Sequence, residues 1–391
     1  MSHGDDPSWD EARSSAGLSF SALTLEEIPL DGAVGRVLAA VTHSLCDLPA
    51  YETSAMDGWV LCGDGPWKIV GEVLTGNVAH GPLSPGCAMK IATGGIIPAG
   101  GQSVLRWERA EERDNYIYGV TTHGEDIRAR AMESAHGEIL IESGTLLTPA
   151  MIGLIAASGN DSVVVTCTPR AELILLGDEL MHAGIPRAGR VRDSLGIAIL
   201  ALLHQFGVAA KNKSYLEDNL DAVIVALTAA IEENDFVITT GGTADGPRDH
   251  IHGAIAHMNG ELIVDRVKAR PGHPMLLARL INSKGRAVPL LGLPGNPQSA
   301  IVAMYTLGLP LIYSLQGRVI PKLNTVTLAV DMRAPAGFTR VVAGTLEGNT
   351  FFPSEYLGSA MLRGLAHSTG FGILGGGVTP SGSLISWLPL S

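Results

Sequence analysis

Residues 236–249, FVITTGGTADGPRD, constrain the fold of this chain more than any other stretch, because a strand, a glycine turn and a carboxylate follow one another directly. Phe236, Val237 and Ile238 form a short apolar run of the kind buried on both faces of a parallel sheet. Gly241 and Gly242 then allow a sharp turn and a close backbone approach, so that successive N–H groups point outward as an anion-binding nest. Thr239, Thr240 and Thr243 add hydroxyl donors, and Asp249 stands where a helix can begin. A carboxylate beside an anion nest is the arrangement through which a divalent cation bridges to a phosphate. Two readings stand on these residues alone: a ligand loop, or an ordinary strand-to-helix connection with a capping Asp.

The surrounding residues 170–317 alternate strand and helix patterns, which marks a mostly parallel α/β sheet with helices on both faces. Strands are expected near 173–176, 262–267, 275–278 and 288–291. One helix starts at Asp193 or Ser194 and ends near Phe206, and a second runs from Asn219 to Glu233. Asp178 and Glu179 follow the first strand. A second glycine loop, GLPGNP at 292–297, contains Pro294 and Gly295, then Asn296 as helix cap and Pro297 at the first helical position. Ligands of open α/β sheets bind beyond the carboxyl ends of the strands. Asp178, Glu179, Thr240, Gly241, Gly242 and the GLPGNP loop all fall at that edge.

The rest of the chain has other textures. Residues 1–17 read as a loose polar leader. Residues 21–41 read as a helix, with Ala33, Val37, Leu38 and Val41 on one face and Asp31 as its cap. Asp57 stands in an Asp-Gly turn, which is most often only a turn former. From Trp59 to about Ile141, Gly and Pro punctuate short β-type runs, the pattern of an all-β module. Residues 139–165 return to helix, ended by Gly159, and 318–391 read as a small β domain. The expected fold class is therefore multidomain α/β plus β: a helical part from 1–45 with 142–169, an inserted β module at 46–141, an α/β domain at 170–317 and a C-terminal β domain at 318–391.

Bulk properties exclude some functions. A chain of 391 residues holds about two to four domains. A net charge of −12 argues against a nucleic-acid or anionic-membrane partner, since counterion release needs clustered Lys and Arg, so any anion must be held locally. Cys46, Cys62, Cys87 and Cys167 form no CxxC pair, and neither a zinc site nor a disulfide framework is indicated. Residues 287–317 carry no charge and are long enough to span a bilayer, but their prolines and glycines fit a buried strand, a loop and a core helix better. The polar start of the chain does not resemble a signal peptide, so the expected setting is cytoplasmic. His250, His252 and His257 do not share one helix face and read as solvated rather than as a metal cluster. Arg187, Arg190 and Arg192 read either as an anion-binding rim or as a solvated loop.

Eight segments in order, IPLDGAVGRVLA (28–39), DLPAYETSAMDGW (47–59), IATGGIIPAG (91–100), GDEL (177–180), RDS (192–194), TTGG (239–242), RPGHP (270–274) and GLPGNP (292–297), resemble the molybdopterin molybdenumtransferase family, which includes the E domain of gephyrin. The resemblance implies an elongated homodimer in which adenylated molybdopterin and molybdate give molybdenum cofactor and AMP with Mg²⁺. It implies a cleft between the α/β domain of one subunit and the β module of the other, and a possible molybdopterin adenylyltransferase partner. It carries catalytic roles to Asp57, Glu179 and Asp249, with Glu179 and Asp249 as metal ligands. Substrate-binding roles fall to Thr93, Asp178, Ser194, Thr240, Gly241, Gly242, Arg270, His273, Pro294, Gly295, Asn296 and Pro297. Such carboxylates hold a cation against the pyrophosphate while donors orient molybdate. Arg270 and His273 stand where the family has lysines, and arginine keeps the charge whereas histidine is only partly charged near neutral pH. TGGTADGPRD is closer to related molybdopterin adenylyltransferases, so an adenylyltransferase-like enzyme is one alternative. A catalytically weakened scaffold is another.

Overall fold

The computed structural model describes all residues except 1–5, 75, 77–80, 188, 244–249 and 391, with the side chains of 211–213 also set aside. Two compact units emerge. Met1–Glu26 with Thr166–Ser391 form one, and Glu27–Val165 form the other.

The larger unit is built on a six-stranded sheet in the order Ala209–Leu216, Arg170–Leu176, Phe236–Thr240, Ala287–Leu293, Leu276–Ile281, Glu261–Asp265. The first four strands run parallel, and the last two add an antiparallel edge. Both faces are buried, and the side-chain alternation shows why the apolar runs are continuous. Leu173, Leu175, Ile238 and Leu291 enter one core, while Ile174, Leu176, Val237 and Leu290 enter the other. Register then aligns the carboxyl ends: Leu175 pairs with Thr240, and Thr240 with Leu293. The helices Leu195–Gln205 and Leu220–Glu233 start as expected, the second capped by the Asn219 side chain accepting from the Ala222 N–H.

Asp235 closes the amino-terminal end of this sheet. It accepts from the Arg170 backbone and side chain and, at 2.8 Å, from Arg286. Burial pushes its carboxyl up, but the hydrogen bonds from Arg170 and Arg286 outweigh that and hold it below the ordinary 3.8. A depressed carboxyl stabilises the fold above its unfolded value and loses that contribution as the pH falls through the folded value. Asp235→Asn is therefore expected to cost about 1–3 kcal/mol at pH 7 and progressively less as the pH falls below the ordinary 3.8, measured by urea unfolding at pH 7 and at acid pH.

Among the described residues, the stretch expected as a loose leader is ordered from residue 6 onward. Trp9–Leu18 is a helix with a full capping box, in which the Ser8 side chain accepts from the Glu11 N–H and Glu11 accepts from the Ser8 N–H. Trp9, Ala12 and Ala16 are fully buried in the same core as the sheet. The helix docks where the run Pro297–Leu315 widens into a π turn at Met304–Gly308. A π turn leaves backbone groups without their usual partners, and the Arg13 guanidinium donates to the Tyr305 carbonyl. Burial lowers the Arg13 pKa to about 10, and its guanidinium sits 4.7 Å from the centre of the Trp9 ring. The Trp9 indole donates to Thr306 at 3.0 Å. Pro297–Leu315 is long and apolar enough to cross a membrane, yet 89% of it is buried inside this fold.

The C-terminal strands close into a five-stranded barrel, since Thr339–Glu347 pairs with both Thr350–Pro353 and Gly370–Leu374. The two-residue strand Ala269–Arg270 extends the barrel sheet in parallel, setting Arg270 beside Arg340.

In the smaller unit, a six-stranded sheet runs Ser103–Arg106, Gly58–Cys62, Cys87–Ile91, Trp67–Val73, Tyr116–Tyr118, Glu111–Arg113. The helix expected over 21–41 is absent. Leu25–Pro29 is a strand and Leu30–Gly32 a 3₁₀ turn, and Gly35 has a φ of +77°, a left-handed conformation that ends any helix. Ala33 and Leu38 are buried through turns and bridges instead. Residues 139–165 hold one helix, Pro149–Ala157, between the strands Ile139–Ile141 and Ser162–Thr166.

Candidate functional site

The aligned strand ends open onto a cavity of about 500 Å³. Three loops meet there. After Leu176, Gly177 takes a φ of +140°, where any Cβ would lie 2.9 Å from the Glu179 carboxylate. The turn is held from below by Arg190 donating to the Asp178 carbonyl and by the Val191 N–H donating to the Glu179 carbonyl. Glu179 lines the cavity, and its exposed carboxylate has no hydrogen-bond donor among the described residues. After Thr240, Gly241 has a φ of +82°, and a Cβ there would sit 3.1 Å from the Leu176 carbonyl. Its N–H is tied to the Leu293 carbonyl at 2.9 Å. Thr240, Gly241 and Gly242 line one wall, and Gly295, Asn296 and Pro297 another.

Ser194 and Asp193 line the cavity too, with the capping roles divided between them. Ser194 is the N-cap residue but its side chain makes no capping bond, whereas Asp193 accepts from the Gly196 N–H at 2.7 Å and from the Tyr215 hydroxyl at 2.7 Å. Asp178 is not in the lining; its carboxylate accepts from the Asp218 N–H. Asp249 lies outside the described residues, so the expected Glu179–Asp249 pair is not on view. The nearby histidines are not simply solvated: His250 Nε2 lies 3.0 Å from the Asp218 carbonyl, and His252 Nε2 lies 2.9 Å from the Asp265 carboxylate. Arg190 and Arg192 brace backbone carbonyls of their own loop.

A second cavity, of about 800 Å³, adjoins the first. Arg270, Arg333 and Arg340 line it with no acidic residue among the described residues, and Pro294 and Asn296 form its wall toward the sheet. Arg270 and Arg340 are register partners on neighbouring strands, where like charges repel unless an anion compensates them. Arg270 is further set by Phe338, whose ring centre is 5.2 Å from its guanidinium. Asn296 belongs to both linings, and Ser359 and Ala360 divide between them on the barrel side. The Gln298 N–H donates to the Ser359 carbonyl at 2.9 Å, pinning that segment to the helix start.

His273 departs from its expected role. It is 7% exposed and absent from either lining, and its Nε2 lies 2.9 Å from the Asp6 carboxylate. Asp57 and Thr93 belong to the smaller unit, where the Thr93 N–H donates to Asp57 at 2.8 Å. Sequence reasoning missed Arg340, in the barrel strand Thr339–Glu347, and Arg333, in the two-stranded ribbon that Met332–Ala334 forms with Gly377–Thr379; neither stands in any motif. It also undervalued Asp193, whose RDS context was visible.

The open sheet with glycine loops at its carboxyl edge, joined to a β barrel and an inserted β module, defines a multidomain protein with an α/β domain of the molybdopterin-binding type. Residues 7–159 match the family model described as MoeA N-terminal region (domain I and II), and residues 172–314 match that of a probable molybdopterin binding domain. The chain is 31% identical over 305 residues to the molybdopterin molybdenumtransferase of Nostoc sp., covering 75% of this chain and 70% of that protein. It is 27% identical over 369 residues to that of Staphylococcus epidermidis, covering 90% and 87%. The crystal structure of the molybdopterin biosynthesis moeA protein from Pyrococcus horikoshii OT3 has the same fold, with a TM-score of 0.82 at 21% identity over 98% of this chain and 100% of that one. The chain belongs to the molybdopterin molybdenumtransferase family.

Proposed function

We propose that the protein inserts molybdate into adenylated molybdopterin and releases AMP, in the cytoplasm and as a homodimer. One observation carries this reading: a cavity of nucleotide size with a glycine loop shares Asn296 with a cavity that presents three arginines. A nucleotide-bearing pterin and an oxyanion held in these two places meet at one residue.

Thr240, Gly241 and Gly242 face the phosphates of the first substrate, with Ser194, Gly295 and Pro297 shaping the cavity around them. Arg270, Arg333 and Arg340 hold the oxyanion, and guanidinium forks suit its geometry. Asp57 and Thr93 are assigned to the site as the family resemblance implies. Glu179 offers a hard oxygen donor, and Mg²⁺ is bound in such sites by one or two carboxylates together with substrate phosphates. Glu179 fits that mode, with Asp249 as the second expected ligand. The cation supplies charge compensation at the pyrophosphate. The partner proposed to hand on the adenylated pterin is a molybdopterin adenylyltransferase.

The test is to incubate the purified chain with adenylated molybdopterin, Mg²⁺ and molybdate and follow AMP. Molybdate-dependent release supports the reading. ATP-dependent adenylylation of molybdopterin supports the adenylyltransferase alternative, and silence from intact dimers supports a scaffold.

A further inference from the structure

The N-terminal segment reaches the oxyanion cavity from behind. Gly272 and Pro274 line that cavity while His273, between them, pairs with Asp6 at 2.9 Å, and the two side chains are only 9% and 12% exposed. The Lys268 N–H donates to the Pro7 carbonyl at 2.9 Å, and the Val267 N–H donates to the His273 carbonyl, so backbone and side chain clamp the same loop. The clamp is anchored by the helix Trp9–Leu18 through Trp9 and Arg13. From His273 the contacts continue to Arg270, because the Phe338 ring lies 5.5 Å from the His273 ring and 5.2 Å from the Arg270 guanidinium. A buried, charge-assisted hydrogen bond is directional and fixes the groups around it.

We propose that Asp6 is a positioning residue for the oxyanion cavity: its carboxylate holds His273 behind the 270–274 loop and so sets where Arg270 presents its guanidinium. The inference rests on the reading of the arginine cavity as an oxyanion site. It gives His273 a function that does not require it to touch substrate.

The experiment is calorimetric titration of the full chain with tungstate and with molybdate, and separately with AMP. Asp6→Ala is expected to weaken oxyanion binding about tenfold and to leave AMP affinity within about twofold. Asp6→Asn, which keeps a hydrogen-bond acceptor, is expected to recover most of the loss. Unchanged oxyanion affinity in Asp6→Ala overturns the inference, and so does a parallel loss of AMP and oxyanion binding with a lower unfolding midpoint. If Asp6→Ala does not fold, Asp6→Glu carries the test, because it keeps the charge and displaces the oxygen by one methylene; wild-type affinity there overturns the inference. A wild-type chain that binds tungstate without molybdate-dependent AMP release contradicts the functional reading and leaves the positioning test standing. A wild-type chain that binds neither oxyanion overturns the inference itself.

Discussion

Glu179→Ala is expected to lower molybdate-dependent AMP release by at least about 100-fold, the loss typical when a preorganised group facing developing charge is removed. The side chain is exposed, and no hydrogen bond among the described residues depends on its carboxylate. The turn that carries it is held by backbone bonds from Arg190 and Val191, which alanine keeps. The unfolding free energy should therefore stay within about 0.5 kcal/mol of the wild type. Steady-state kinetics beside urea unfolding separates the two quantities. Turnover within a fewfold of wild type would remove Glu179 from the proposed chemistry.

Trp9→Ala has the largest expected effect on stability. The indole is 2% exposed, donates to Thr306 and lies against the Arg13 guanidinium. Truncating a buried tryptophan costs about 3–5 kcal/mol. The loss would fall on the larger unit, and a urea midpoint for that unit, followed by a probe in the central sheet, measures it. A loose leader would instead give a change of no more than about 0.5 kcal/mol.

That contrast shows what was legible in the sequence. The central sheet announced itself because Leu173–Leu176, Phe236–Ile238 and Val288–Leu291 are continuous apolar runs buried on both faces. The strand ends and glycine loops followed from those runs. The helix Trp9–Leu18 was hidden because its buried stripe is one tryptophan and two alanines, which barely register against its polar residues. Its capping box, Ser8 and Glu11 three apart, was the readable signal. The helix expected over 21–41 had the right spacing, but Pro29, Gly32 and Gly35 decided against it.

The candidate site was legible only where a glycine loop marks it. Arg340 reaches the cavity because a two-residue strand, Ala269–Arg270, pairs with barrel residues 70 positions further along the chain. So short a pairing has no periodicity to read. His273 looked like a weakened substitute for a lysine. Its partner Asp6 lies 267 positions away in the chain, and only the folded structure brings the two together.

The most direct measurement is a crystal structure of the protein soaked with AMP and tungstate, with tungsten located by its anomalous signal. The account predicts the nucleotide in the cavity bounded by Gly241, Glu179 and Gly295, and tungsten among Arg270, Arg333 and Arg340 on the far side of Asn296. Tungsten bound elsewhere, or AMP outside the glycine-lined cavity, would contradict it.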